Sequence, residues 1–180
     1  MLKQCQTIQN SSERLACYDK MLPPIKDEAK AETLPDVGKW QTSTETSPVD
    51  DSKNIYLSLS AEQTISTGLD HGVTPQIWIT CREKKTNLYI DWSTFLGTEE
   101  TEVLYRLGKN KAKVANWDMS TDNKAVFYRG NVVSFIKTLM QTNTMFVRVV
   151  PYGESPVSTS FTITGLKDAI KPLQQACGWK

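Results

Sequence analysis

The 180-residue chain balances 21 Lys and Arg against 20 Asp and Glu and carries one histidine, so no charge excess directs it to nucleic acid or to an anionic membrane surface. No apolar run approaches the roughly 18 residues of a membrane-spanning helix, and no transmembrane segment is expected. The length suffices for one sizeable core with a small appendage.

The N-terminus, Met1-Leu2-Lys3-Gln4-Cys5, lacks the apolar core of a secretory signal. Four cysteines, Cys5, Cys17, Cys81 and Cys177, include no Cys-x-x-Cys pair, which argues for disulfides and hence for an oxidising compartment. Together these features predict an exported protein read in its mature form, with the signal peptide absent from this chain. Of the three possible pairings, Cys5–Cys17 with Cys81–Cys177 has the best local argument. One straight helix would hold Cys5 and Cys17 roughly 18 Å apart at 1.5 Å per residue, too far for a bond. Asn10-Ser11-Ser12-Glu13, however, reads as a stop followed by a fresh helix start, with Asn10 capping. Residues 1–22 are therefore expected to form a helical hairpin whose apolar side is Leu2, Ile8, Leu15, Tyr18 and Leu22. Pro23-Pro24 ends it, and 23–37, rich in Lys, Glu, Ala and Asp, reads as a linker.

From Gly38 onward the period changes to two, and 38–180 reads as a β-rich domain. Strands are predicted around Ile55-Leu57-Leu59, Ile77-Ile79-Cys81, Leu88-Ile90-Trp92, Val103-Tyr105-Leu107, Met145-Val147-Val149 and Val157-Thr159-Phe161-Ile163. Cys81 shares the inward face of Ile77 and Ile79. Apolar residues return to helical spacing over 131–142 (Val132, Val133, Ile136, Leu139, Met140) and 166–177 (Leu166, Ala169, Ile170, Leu173, Cys177). Pro172 predicts a kink or a broken pair of turns in the second helix. The fold class is mainly β (α+β): an antiparallel sandwich or curled sheet with two packed helices, preceded by the disulfide-linked hairpin.

Catalytic and metal chemistry find little support. His71 lies in the glycine-flanked loop Thr67–Val73 with Ser66 and Asp70 close in sequence, but neighbouring loop residues rarely converge as a triad. No Cys or His pair has zinc spacing. Asp50-Asp51-Ser52 and Ser120-Thr121-Asp122-Asn123 read as turn chemistry rather than calcium loops. Glu99, Glu100 and Glu102 follow Gly97 in an expected hairpin tip. Neither a metal nor a cofactor is expected, and the chain reads as a non-enzyme. Asp91 and Arg106 each lie opposite their strand's apolar set, so on neighbouring strands they would pair. With Trp78, Tyr89, Trp92, Trp117 and the Ser120-Thr121-Asp122 turn they form the candidate binding patch.

Further pieces recur in order: Arg14-Leu15-Ala16-Cys17-Tyr18-Asp19 with Cys5; Gly38-Lys39-Trp40; Ser47-Pro48-Val49-Asp50-Asp51-Ser52; Cys81-Arg82; Leu88-Tyr89-Ile90-Asp91-Trp92; Tyr105-Arg106; and Trp117 with Ser120-Thr121-Asp122. Val149-Val150-Pro151-Tyr152-Gly153-Glu154-Ser155-Pro156, and Phe161 to Leu166 with Ala176-Cys177-Gly178-Trp179, complete the set. In this combination the chain resembles the VasI (TagO) family of type VI secretion-associated proteins over nearly its whole length. The resemblance implies a bacterial envelope protein with an accessory role, and it carries no catalytic residue. The expected function is that of a periplasmic, non-enzymatic adaptor that binds an envelope or secretion-system protein through the outer face of its sheet. The alternatives are an immunity-like inhibitor that presents Thr67–Val73 to a cell-wall hydrolase or toxin, and a peptidoglycan- or glycan-active enzyme.

Overall fold

The computed structural model describes residues 5–21 and 35–180. By contacts the chain divides into two compact units, Met1–Leu34 and Pro35–Lys180.

In the first unit, Cys5 and Gln6 are helical, the chain turns at Thr7, and helix α1 (Ser11–Met21) begins behind Asn10. The Asn10 side chain accepts hydrogen bonds from the Ser12 and Glu13 backbone N–H groups, at 2.9 and 3.4 Å, satisfying donors that a helix start leaves open. This break brings the Cys5 and Cys17 Cα atoms to 5.6 Å and lets their sulfurs bond. The expected apolar side needs correction. α1 buries none of its residues, Leu15 is 62% exposed, and Ile8 and Tyr18 are half-buried. Leu2, Leu22 and most of the expected linker lie outside the described residues. An 11-residue helix without buried side chains is shorter than the roughly 12–15 residues at which isolated helices become marginal. Cys5→Ser/Cys17→Ser is therefore expected to erase the helical Cα secondary shifts of residues 11–21 in NMR spectra. Retained helicity would show that the crosslink is dispensable for α1.

The second unit is a nine-stranded antiparallel sheet in the order β1-β2-β3-β4-β7-β6-β5-β8-β9, not closed. Its strands are β1 (Gln41–Thr46), β2 (Lys53–Ser60), β3 (Gln76–Arg82), β4 (Lys85–Asp91), β5 (Thr101–Leu107), β6 (Lys113–Met119), β7 (Ala125–Phe127), β8 (Thr144–Val149) and β9 (Val157–Thr162). The sheet curls until the far edge meets the connection after β2. Glu62 N–H donates to the Ser160 carbonyl at 2.8 Å, and the Thr159 hydroxyl donates to the Gln63 carbonyl at 2.9 Å. The curled-sheet form of the expected fold is thus the one observed.

Period-two patterning explains the core. Leu57, Leu59, Ile77, Ile79, Leu88, Ile90, Val103, Val147, Val149 and Phe161 alternate inward and fill one continuous apolar cluster. Each such side chain contributes roughly 1.5–3 kcal/mol on full burial. Helix α2 (Val132–Leu139) adds Phe135, Ile136 and Leu139 to this cluster, and Lys137 is exposed. The second helical stripe is broken as Pro172 requires, into α3 (Leu166–Ala169) and α4 (Lys171–Cys177), with Pro172 in the first turn of α4. Leu166, Ala169, Ile170 and Leu173 point into the core, and α4 packs on β2 and β3. The Cys81–Cys177 disulfide fastens it there, with Cys81 fully buried, and the Trp179 indole donates to the Thr86 hydroxyl at 2.9 Å.

The segment before β1 docks by close backbone approach. Gly38 (φ +56°) and Gly165 (φ +88°) face one another, and a Cβ on Gly165 would lie 2.3 Å from the Val37 carbonyl carbon. Alongside, the buried Trp40 indole donates to the Ile163 carbonyl at 3.2 Å.

Candidate contact surface

Three of the expected patch residues need correction. Trp92 and Trp117 are fully buried in the core cluster, so neither indole contributes to a surface. Trp92 continues the inward alternation of Leu88 and Ile90. Trp117 is the one fully buried residue of β6 and packs against Tyr105, Tyr128 and Phe135 at centroid distances of 6.1, 5.3 and 6.2 Å. Arg106 does not pair with Asp91, because β7 and β6 lie between β4 and β5. Arg106 instead donates through Nε to the Asn110 carbonyl at 3.0 Å and braces its own hairpin.

Asp91 and the Ser120-Thr121-Asp122 turn are neighbours, since Asp91 pairs with Ala125 in the β4–β7 ladder. Both are engaged locally. Asp91 Oδ1 accepts from the Ser93 N–H at 2.7 Å. The Ser120 hydroxyl bonds Asp122 at 2.5 Å and accepts from the Ala125 N–H at 2.9 Å. That hydroxyl, followed by the Lys124 N–H, holds the Asp122 carboxyl below the usual carboxylate range. Thr121 is exposed at the turn's tip. Asp50 is engaged in the same manner by the Ser52 hydroxyl and N–H. Among the described residues no group of three His, Cys, Asp or Glu side chains is arranged to hold a metal ion.

On the outer sheet face an aromatic row does form, from residues on adjacent strands. Trp78 stacks on Tyr89 at 6.2 Å, and Tyr89 on Phe127 at 4.6 Å. All three rings are half-buried against one another. Burial, and then the Asp91 carboxylate, raises the Tyr89 hydroxyl above the usual phenol range. Such cross-strand pairs stabilise a sheet by roughly 0.2–1 kcal/mol each.

A second surface joins loops distant in sequence. In the Thr67–Val73 loop, Thr67 N–H donates to the Asp70 carbonyl at 2.7 Å, and Ile65 bridges Val73. The Thr94 hydroxyl reaches across to donate to Asp70 Oδ2 at 2.8 Å and contacts the Thr67 hydroxyl at 3.1 Å. From the third loop, Glu154 Oε1 accepts the Gly68 N–H at 3.0 Å, and Tyr152 N–H donates to the Leu96 carbonyl at 3.1 Å. A Cβ at Gly68 would sit 2.5 Å from that Glu154 oxygen, so the small residue permits the brace. The three interlocked loops leave Leu69 72%, Val150 54% and Tyr152 78% exposed. Glu99, Glu100 and Glu102 line the adjoining hollow with Val150 and Tyr152. Large exposed side chains on a prearranged surface are what a protein contact requires. The Thr67–Val73 loop was expected from its sequence; Tyr152 and Glu154 were visible only as members of the Val149–Pro156 segment. His71 is exposed there, and the nearby Asp70 carboxylate is committed to Thr94 rather than presented to the imidazole.

The second unit is therefore a disulfide-linked, curled antiparallel sheet with three braced loops. A family model for type VI secretion system VasI/EvfG proteins matches residues 4–179, and the chain belongs to the VasI family. No curated protein matches it. Among solved structures, invasion associated protein B from Bartonella henselae is similar at 12% sequence identity with a TM-score of 0.53, over 77% of this chain and 94% of that chain. At that identity the likeness concerns the fold.

Proposed function

We propose that this VasI-family protein is a non-enzymatic accessory of a type VI secretion system that acts in the periplasm by binding another protein through its braced loop surface. The observation that carries the reading is the interlocking of three loops around exposed Leu69, Val150 and Tyr152. Ordering loops before association lowers the entropy cost of binding, and exposed aromatic and aliphatic side chains are the usual anchors. Two disulfides support an oxidising compartment, and membership of a secretion family supports an envelope partner.

The test is photocrosslinking from position 71 in cells that carry the secretion cluster, followed by identification of the adduct. A discrete adduct with a secretion-system protein is expected. Leu69→Asp/Tyr152→Ala is expected to weaken that complex by about thirtyfold, equivalent to losing roughly 2 kcal/mol at an anchor. An unaltered adduct would remove this surface from consideration. Release of soluble fragments from purified peptidoglycan by the protein alone would overturn the non-enzymatic reading.

A second reading follows from the Thr67–Val73 loop, whose braces on Thr94 and Glu154 suit it to enter a cleft. On that reading the protein is an immunity-like inhibitor of a cell-wall hydrolase or toxin. Undiminished activity of a cell-wall hydrolase or toxin in excess protein disposes of it.

A further inference from the structure

Away from the loop surface, a half-open groove of about 250 Å³ lies between the β5–β6 hairpin and α2. Tyr105, Tyr128, Phe135 and Leu107 form its apolar lining, and Lys111 and Lys113 stand beside them. Tyr105 and Phe135 are 7% and 6% exposed, so these rings are held by the core behind them. Tyr128 and Phe135 stack at 4.2 Å, and Tyr105 meets Phe135 edge-on at 5.5 Å. Trp117 closes the aromatic box from within, and its indole N–H has no hydrogen-bond partner among the described residues.

The charge on this groove is one-sided. No carboxylate lines it, and among the described residues neither Lys111 nor Lys113 has an acidic side chain within ion-pair distance. Arg129, next in sequence to the lining residue Tyr128, engages Glu100 and Asp118 at 2.8 and 3.8 Å. A volume of about 250 Å³ falls below the roughly 300–1,000 Å³ of sites that enclose a whole small molecule. It suits one ring, with the rest of the ligand continuing into solvent past the lysines.

We infer that this groove anchors an aromatic side chain flanked by carboxylates, presented by an extended segment of a partner protein. The ring stacks among Tyr105, Tyr128 and Phe135, and the flanking acids meet Lys111 and Lys113. Asn110, Asn131, Ser134 and Thr138 supply polar groups around the mouth. This site is independent of the loop surface and stands or falls apart from it.

The probes are capped pentapeptides: Gly-Asp-Phe-Glu-Gly, its Ala-for-Phe and its Lys-for-acid counterparts, and free 3-phenylpropionate. The readout is the Trp117 indole N–H resonance, which sits among the rings that a bound ring would join. The acidic aromatic peptide is expected to shift this resonance saturably and to bind about tenfold more tightly than either altered peptide. Raising the salt to 0.5 M should reduce the preference over the basic peptide, because exposed charges are screened. Lys111→Ala/Lys113→Ala, at two exposed positions, should abolish that preference while leaving the spectrum of the free protein intact. Ser134→Trp, from the exposed side of α2, should block all binding. No saturable shift, equal binding of acidic and basic peptides, or tighter binding of free 3-phenylpropionate than of the peptide would each overturn the inference. The last result would assign the groove to a small aromatic acid.

Discussion

Cys81→Ala/Cys177→Ala is expected to destabilise the β-rich unit by roughly 4–5 kcal/mol. The crosslink closes a loop across a sequence separation of 96 residues, and chain-entropy arguments assign about 4.7 kcal/mol to a loop near 100 residues. For a chain of this size that corresponds to a fall in Tm of roughly 8–20 °C. The folded side reinforces the loss. Cys81 is fully buried between β2 and β4, and its bond holds α4, with Leu173, over β2 and β3. Urea unfolding of the oxidised protein and the double variant, each followed by tryptophan fluorescence, measures the difference. A change below about 1 kcal/mol would mean that side-chain burial alone docks α4 and that the unfolded chain gains little freedom on losing the bond.

Gly165→Ala is expected to cost roughly 3 kcal/mol, a large effect for one methyl group. About 1–2 kcal/mol arises from placing an L-residue in left-handed backbone, since Gly165 has φ +88°. The remainder is steric, because the new Cβ would lie 2.3–2.5 Å from Val37 C, Gly38 N and Val37 O, all backbone atoms with no rotamer to yield. Gly38→Ala strains the same contact from the other side, 2.3 Å from the Thr164 carbonyl oxygen. The two changes are therefore expected to be non-additive: once either has parted the segments, the second meets less resistance. A double-mutant cycle in urea should return a coupling of about 1–2 kcal/mol. Simple additivity would show that the segments remain apposed and that the cost lies in backbone conformation alone. Separation of this contact also threatens the Trp40–Ile163 hydrogen bond beside it.

Several elements were plain from the sequence because one local signal sufficed. Ile77, Ile79 and Cys81 alternate with residues of the opposite face, so β3 and the inward direction of Cys81 follow from period two alone. Asn10 marked the restart of α1, and Pro172 marked the break between α3 and α4. β1 was missed because Gln41–Thr46 is an edge strand exposed along its length, and such a strand needs no apolar face. β6 was missed because Trp117 is its one fully buried residue, and β7 because three residues make no period. The expected Asp91–Arg106 pair assumed that β4 and β5 were neighbours. Both residues are indeed opposite their strands' apolar sets, but two later strands return between them. The loop surface was the least legible part. The Gly68–Glu154 hydrogen bond spans 86 positions, and nothing local to either residue announces the other.

By itself the sequence determined which residues face inward along each regular strand, where helices start and break, and that the four cysteines pair. It also carried the ordered motifs of the VasI family. Only the tertiary structure decided the strand order, the burial of Trp117, and the assembly of three loops around Leu69 and Tyr152. The physical reason is that alternation records on which face of a strand a side chain lies and carries no information about which strand lies beside it. Neighbours are selected by how the whole apolar set packs once the sheet has curled, and every surface with functional interest here is built across that selection.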